Sequence, residues 1–320
     1  MSVDAAHTAP HQQLFNTPFP IIMAPMFLVS NTAMIKAAMD NGITGAIPAL
    51  NYRTDEELRA AIDELKAHGS APFGINLIVN KSNVRYKQQL ATCLEKGVDF
   101  IITSLGNPKE CIERAHEKGI KVFCDVIDLH YALKVQEQGA DAVIAVNAEA
   151  GGHAGNVTGE SLIKELCENL DIPVISAGGL ARKVDVERAL SWGAAAVSVG
   201  TVFIASNEAG VTDAYKQALV DYSAKDIVRT TKMSGSALTV INTPYVQKIG
   251  TEATWLERLM HKYKPLKKFI KMFIALRGMK QISNAANKAT YKTVWVAGPS
   301  IEHIHAIRPC SEIIHDLTQG

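Results

Sequence analysis

The chain has 320 residues, with 33 Lys and Arg against 32 Asp and Glu, a formal charge of +1 at pH 7. Hydrophobic residues make up 47% and charged residues 20%, the mix of a folded globular protein, which excludes a disordered, collagen-like or coiled-coil chain. The balanced charge also argues against a general nucleic-acid binder, which needs a basic surplus.

The N-terminal stretch MSVDAAHTAPHQQLFNTPFP has no basic region followed by an apolar one, so it does not read as a signal peptide. From there one pattern recurs. A helix-sized polar and apolar segment ends at Gly42, Gly97, Gly119, Gly139 or Gly193, and a short run rich in Val, Ile or Ala follows. Glycine ends a helix readily because it takes the left-handed conformation. The runs are apolar throughout rather than alternating, as expected of strands buried on both faces of a parallel sheet. Strand starts fall near residues 20, 43, 72, 98, 120, 141, 172 and 194. Segments such as DEELRAAIDELKAHG and PKECIERAHEKG, with one apolar face, separate them. Eight strand–helix units predict an α/β fold, a (β/α)8 TIM barrel; a doubly wound open sheet is the competing arrangement.

The barrel is expected to occupy residues 1–221, its last helix spanning 208–221. Residues 222–300 are expected to form a mostly helical insertion, a lid or an oligomer contact, and 301–320 a C-terminal helix on the barrel. Within the insertion, 261–280 carries seven Lys or Arg and no acid, with Leu266, Phe269, Ile270, Phe273 and Ile274 at helical spacing. That predicts an amphipathic helix against the barrel or a partner subunit; a membrane-surface or acidic-partner helix is the alternative.

Catalytic residues of such barrels lie where strands end. The first strand is followed by Met23-Ala24-Pro25-Met26. Asn76 sits in the third, EAGGHAG (149–155) follows the sixth, SAGGL (176–180) closes the seventh and Val199-Gly200-Thr201 the eighth. Gly178, Gly179 and Gly200 follow the last two strands, the usual phosphate-binding place of these barrels; tight turns would also use glycine there. His153 stands among Gly151, Gly152 and Gly155 at a strand end. An imidazole there can accept a proton near neutral pH; the alternative is an exposed loop histidine. No metal-binding pattern, nucleophile elbow, Walker A loop or G-x-G-x-x-G fingerprint is present, so no metal site is expected. Cys93, Cys111, Cys124, Cys167 and Cys310 are odd in number and form no C-x-x-C pair, as in reduced cytoplasmic proteins. No apolar run approaches the roughly 18 residues of a membrane span.

These motifs, in this order, carry a resemblance. MAPM, GIN, GADAVIA running into EAGGHAG, IPVISAGGL and VGTVF resemble the nitronate monooxygenase (2-nitropropane dioxygenase) family across residues 18–205, with weaker matches at 231–237 and 293–300. The resemblance implies an FMN-dependent oxidoreductase related to flavin-type enoyl-ACP reductases and NAD(P)H:quinone reductases. It implies that Ala24, Pro25 and Met26 pack on the flavin ring and Asn76 hydrogen-bonds it. Gly151 and Gly152 let the ring approach, and Ala177, Gly178, Gly179, Gly200 and Thr201 hold the phosphate. By the same resemblance His153 would act as base on a nitroalkane or hydrogen-bond its nitro group, and the nitronate would be oxidised with O2 to a carbonyl compound and nitrite. The sequence departs from the family at Val146, where members often carry Gln, Glu or Asp. Asp125 stands where quinone-reductase-like members can carry Lys. The implied partners are a small-molecule substrate and O2, with a homodimer as the candidate assembly. Three alternatives are an NAD(P)H-dependent FMN reductase acting on enoyl thioesters or quinones, a barrel that binds FMN or a phosphorylated ligand without turnover, and an IMP-dehydrogenase-like enzyme, which needs a nucleophilic Cys in a mouth loop.

Overall fold

The structure, a computed structural model, describes residues 10–231, 237–252 and 294–320. Eight parallel strands close into a barrel: β1 (Ile21–Met23), β2 (Thr44–Pro48), β3 (Gly74–Ile78), β4 (Phe100–Ser104), β5 (Lys121–Val126), β6 (Ala142–Val146), β8 (Val174–Ala177) and β9 (Ala196–Val199). β9 returns to β1 with Ile22 opposite Ser198, so no sheet edge is left open. The expected strands start within about two residues of the observed ones, and closure decides against the open sheet.

Two apolar layers explain the continuous strand runs. Ile22, Ala46, Phe100, Ile102, Phe123, Ile144 and Ile175 fill the interior. Their neighbours Ile21, Ile47, Ile75, Ile101, Val122 and Val143 pack outward on the helices. Those helices are α2 (Thr32–Asp40), α3 (Asp55–His68), α4 (Tyr86–Lys96), α5 (Lys109–His116), α6 (Leu129–Glu137), α7 (Gly159–Asn169) and α8 (Lys183–Ser191). Asn31, Thr54, Asp128 and Thr158 cap the starts of α2, α3, α6 and α7 with side-chain oxygens. The five glycines expected to end helices all adopt positive φ, from 61° at Gly97 to 107° at Gly193. At the N-terminal end of the barrel, α1 (Pro10–Leu14) leads Phe15 into the interior beneath Phe100 and Phe123, whose rings stack at 4.9 Å. The Phe100 ring fills the space where a side chain at Gly74 would stand.

After β9 come α9 (Thr201–Ile204) and α10 (Asp213–Asp221). The described part of 222–300 adds strands to the helical expectation. β10 (Ile227–Thr230) and β11 (Leu238–Ile241) form an antiparallel ribbon with β7 (Gly152–His153). Both segments, IVRT and LTVI, are rich in β-branched residues. Leu238 and Val240 bury against Val246 of α11 (Pro244–Ile249) and Val294 in a small core of their own. The predicted amphipathic helix at 261–280 and most of 231–237 lie outside the described residues. α12 (Cys310–Thr318) buries Cys310, Ile313, Ile314 and Leu317 against α2 and α8, sealing the ring of helices where its first and last units meet.

Candidate active site

Strand alternation decides which side chains reach the barrel mouth. On β5, Phe123 belongs to the interior and Cys124 and Val126 to the outer layer, so Asp125 points inward. By the same phase Asn76 on β3 and Ser104 on β4 point inward beside it. Asn76 is buried, and its Nδ2 donates to Ser104 Oγ at 2.7 Å and to the Ile102 carbonyl at 3.2 Å. Ser104 Oγ donates to the Asp125 carboxyl group. Burial pushes the Asp125 carboxyl up to about 6, against the lowering effect of the Ser104 bond.

Across the mouth, the Ala24-Pro25-Met26 turn is fixed by its own loop. Ala24 N continues the β1–β9 pairing to Val199 O at 2.8 Å, and Met26 N donates to Ser30 Oγ at 2.9 Å. The next turn holds Leu28 at φ 60°, its N–H bonded to Asn51 Oδ1. Leu105, after β4, is the other non-glycine residue with positive φ among the described residues. Both strained leucines lie in loops on the C-terminal face, where functional sites store strain. Beside Gly200 the nearest atoms to a Cβ would be Ala24 Cβ and Met26 Sδ, each at 3.6 Å, so the site could accept a small group there without a clash.

Gly178 and Gly179 turn the chain after β8 with φ of 114° and 73°. Any side chain would collide, at Gly178 with the Asn147 carboxamide and at Gly179 with the Glu149 carboxylate. Asn147 ties the two loops together: its Nδ2 donates to Gly178 O and its Oδ1 accepts from Glu149 N. It therefore serves the backbone, and Val146 beside it points into the barrel as an apolar residue. Gly151 meets Thr201 and a residue from far along the chain. A Cβ on it would lie 3.0 Å from Thr201 Oγ1 and 2.8 Å from Gly298 N, and Gly298 N itself donates to Thr201 Oγ1.

His153 sits on β7, held by Leu238 of β11. Arg229 of β10 adds a bond from Nη2 to Ala154 O at 3.2 Å. The ring reaches solvent at the mouth, yet enough protein surrounds it for desolvation to lower its pKa below the usual 6.5. Among the described residues nothing hydrogen-bonds the ring. The expected site residues thus converge on one face: Ala24, Pro25, Met26, Asn76, Gly151, Gly152, His153, Ala177, Gly178, Gly179, Gly200 and Thr201. Ser104, Asn147, Glu149 and Gly298 join this face with no role that the sequence motifs assign them, and Asp125, a departure from the family pattern, lies beside Ser104. A carboxylate within the apolar run KVFCDV was the one visible signal.

The cysteines are elsewhere. Cys93, Cys111 and Cys310 are buried in helices and Cys124 in β5, and burial pushes the thiols of Cys111, Cys124 and Cys310 up to about 12. None of the five cysteines occupies a mouth loop, which removes the IMP-dehydrogenase-like reading. No described helix is long and apolar enough to cross a membrane.

The sequence model of the family described as nitronate monooxygenase matches residues 81–320. The chain belongs to that family. It is an oxidoreductase of the nitronate monooxygenase family, whose members are flavin enzymes. A Mycobacterium tuberculosis relative, (3aS,4S,5R,7aS)-5-hydroxy-7a-methyl-1-oxo-octahydro-1H-indene-4-carboxyl-CoA dehydrogenase, is 30% identical over 243 residues, covering 75% of this chain and 68% of that protein. A probable nitronate monooxygenase of Staphylococcus saprophyticus is 25% identical over 282 residues, covering 74% of this chain and 79% of that protein. Among solved structures, FabK from Thermotoga maritima superposes with a TM-score of 0.84 at 30% identity, covering 97% of this chain and 94% of that one.

Proposed function

We propose that this protein is an FMN-dependent nitronate monooxygenase, converting a nitroalkane or nitronate and O2 to a carbonyl compound and nitrite. The observation that carries the reading is His153: a neutral imidazole with no hydrogen-bond partner among the described residues, held by the β7–β10–β11 ribbon. A neutral ring nitrogen accepts the α-proton of a nitroalkane, leaving the charge on the nitronate oxygens. When bound, FMN supplies the electron acceptor and the reaction with oxygen.

The mouth fits such a ring. Asn76 Oδ1 has no bonding partner among the described residues, Ala24, Pro25 and Met26 offer an apolar wall, and Gly200 is open on the side facing them. Gly178 and Gly179, with Ala177, Gly200 and Thr201, hold the phosphate. The Glu149 side chain is exposed, so its carboxylate has room to turn into solvent away from Gly179. Gly151 lets Gly298 and Thr201 pack against the loop that carries His153, and Gly152 lies beside Val296.

A second reading has its own support. The M. tuberculosis relative is named as a dehydrogenase of a carboxyl-CoA compound, which favours an oxidoreductase acting on a thioester, with NAD(P)H as the reductant to test. Anaerobic mixing of the FMN-loaded protein with propionate 3-nitronate or with NAD(P)H separates the two. Bleaching or radical formation with nitronate alone is the expected result. Rapid bleaching by NAD(P)H alone replaces it with the reductase. A protein that takes up no FMN fits neither.

A further inference from the structure

Asn76, Ser104 and Asp125 lie on three successive strands and form one directed chain of hydrogen bonds. The amide nitrogen of Asn76 can only donate, and it gives its two hydrogens to Ile102 O and Ser104 Oγ. The Ser104 hydroxyl, having accepted that bond, gives its single proton to the Asp125 carboxyl group. Turning the carboxamide over would set Oδ1 against the Ile102 carbonyl, acceptor against acceptor. Only one orientation therefore satisfies the group, and in it Oδ1 has no donor among the described residues. Asp125 itself is a costly residue here: it faces inward, and among the described residues no cation pairs with its carboxyl group. Its hydrogen bond to Ser104 gives that cost a purpose.

We infer that Asp125, acting through Ser104, is a positioning residue that locks the Asn76 carboxamide with its oxygen presented to the barrel mouth, as the acceptor for a ring N–H of the flavin. The inference rests on the cofactor reading above. It makes Ser104 and Asp125 determinants of cofactor affinity without either touching substrate.

The test is titration of the flavin-free protein with FMN, followed by quenching of flavin fluorescence, with thermal melting to confirm folding. Ser104→Ala and Asp125→Ala each weaken binding roughly tenfold, the effect of one lost hydrogen bond. Ser104→Thr and Asp125→Asn, which keep the donor and the acceptor, stay within about twofold of wild type. The links act in series, so the double Ala variant binds no worse than Ser104→Ala alone. Wild-type affinity in both Ala variants overturns the inference and leaves the cofactor reading standing. Strictly additive losses also overturn it, because Asp125 then does not act through Ser104. If Asp125→Ala fails to fold, Ser104→Ala against Ser104→Thr decides alone. Wild-type protein that binds no FMN overturns the cofactor reading, and this inference with it.

Discussion

His153 can take a proton only while its ring is neutral, and desolvation favours that form. Its pKa lies below 6.5, so the accepting form dominates at pH 7 and disappears as pH falls through the lowered value. With a neutral nitroalkane, kcat/KM is therefore expected to be flat above pH 6.5 and to fall tenfold per pH unit below the midpoint. A preformed nitronate needs no deprotonation, and its pH profile lacks that acid limb; equal limbs for both substrates would remove His153 from the base role. His153→Ala should lower turnover of nitroalkane by about 10²–10⁴-fold, with bound FMN unchanged by absorbance. Asp125 has the opposite sign. Its ordinary value is 3.8 and its folded value about 6, so between those pH values the folded protein keeps a proton that the unfolded chain has released. Stability then falls as pH rises from about 4 to 6, and the full cost remains above pH 6. Asp125→Asn should melt higher than wild type at pH 7.5, by roughly 1–3 kcal/mol in stability, and the gap should close near pH 4.

At the scale of elements, the barrel was readable because its strands are buried twice. A strand with an apolar layer on each side needs apolar residues at every position, and IIM and AVIAV show it without ambiguity. The glycines that end α2, α4, α5, α6 and α8 mark the period. β7 could not be read in this way. It is two residues, Gly152 and His153, and it is a strand only because Thr239 and Leu238, distant in sequence, lie beside it. The site was legible as motifs but not as a network, because a hydrogen bond from Asn76 through Ser104 to Asp125 depends on the phase of three strands at once. The ribbon makes its own prediction. Thr239 lies in the central strand, opposite Arg229 on one side and Gly152 on the other, where proline removes a ladder donor. Thr239→Pro should displace His153 and reduce turnover on the order of 10²-fold. The barrel should keep its melting transition and its FMN. Loss of folding together with activity would show that the ribbon supports the barrel rather than the histidine.

Across the whole molecule, the two ends of the barrel have different work. The glycine turns, the polar chain and His153 occupy the C-terminal face, whereas the N-terminal end is closed by a hydrophobic plug. Phe15 is 3% exposed, with its ring centroid 6.4 Å from that of Phe100 and 6.5 Å from that of Phe123. Ile102, Ile144 and Ile175 continue the interior toward the mouth. A close-packed interior collapses little around a missing ring, so Phe15→Ala should cost about 3–5 kcal/mol. In a domain of this size that lowers the melting temperature by on the order of 10 °C. The mouth should not register the change, because substitutions far apart with no shared partner act independently. Melting and FMN titration of the same preparation check both halves: a lower melting temperature with unchanged FMN affinity is expected. A matching loss of FMN affinity would mean that the interior transmits a defect from the plug to the mouth, and that stability and cofactor binding in this barrel cannot be assigned to separate ends.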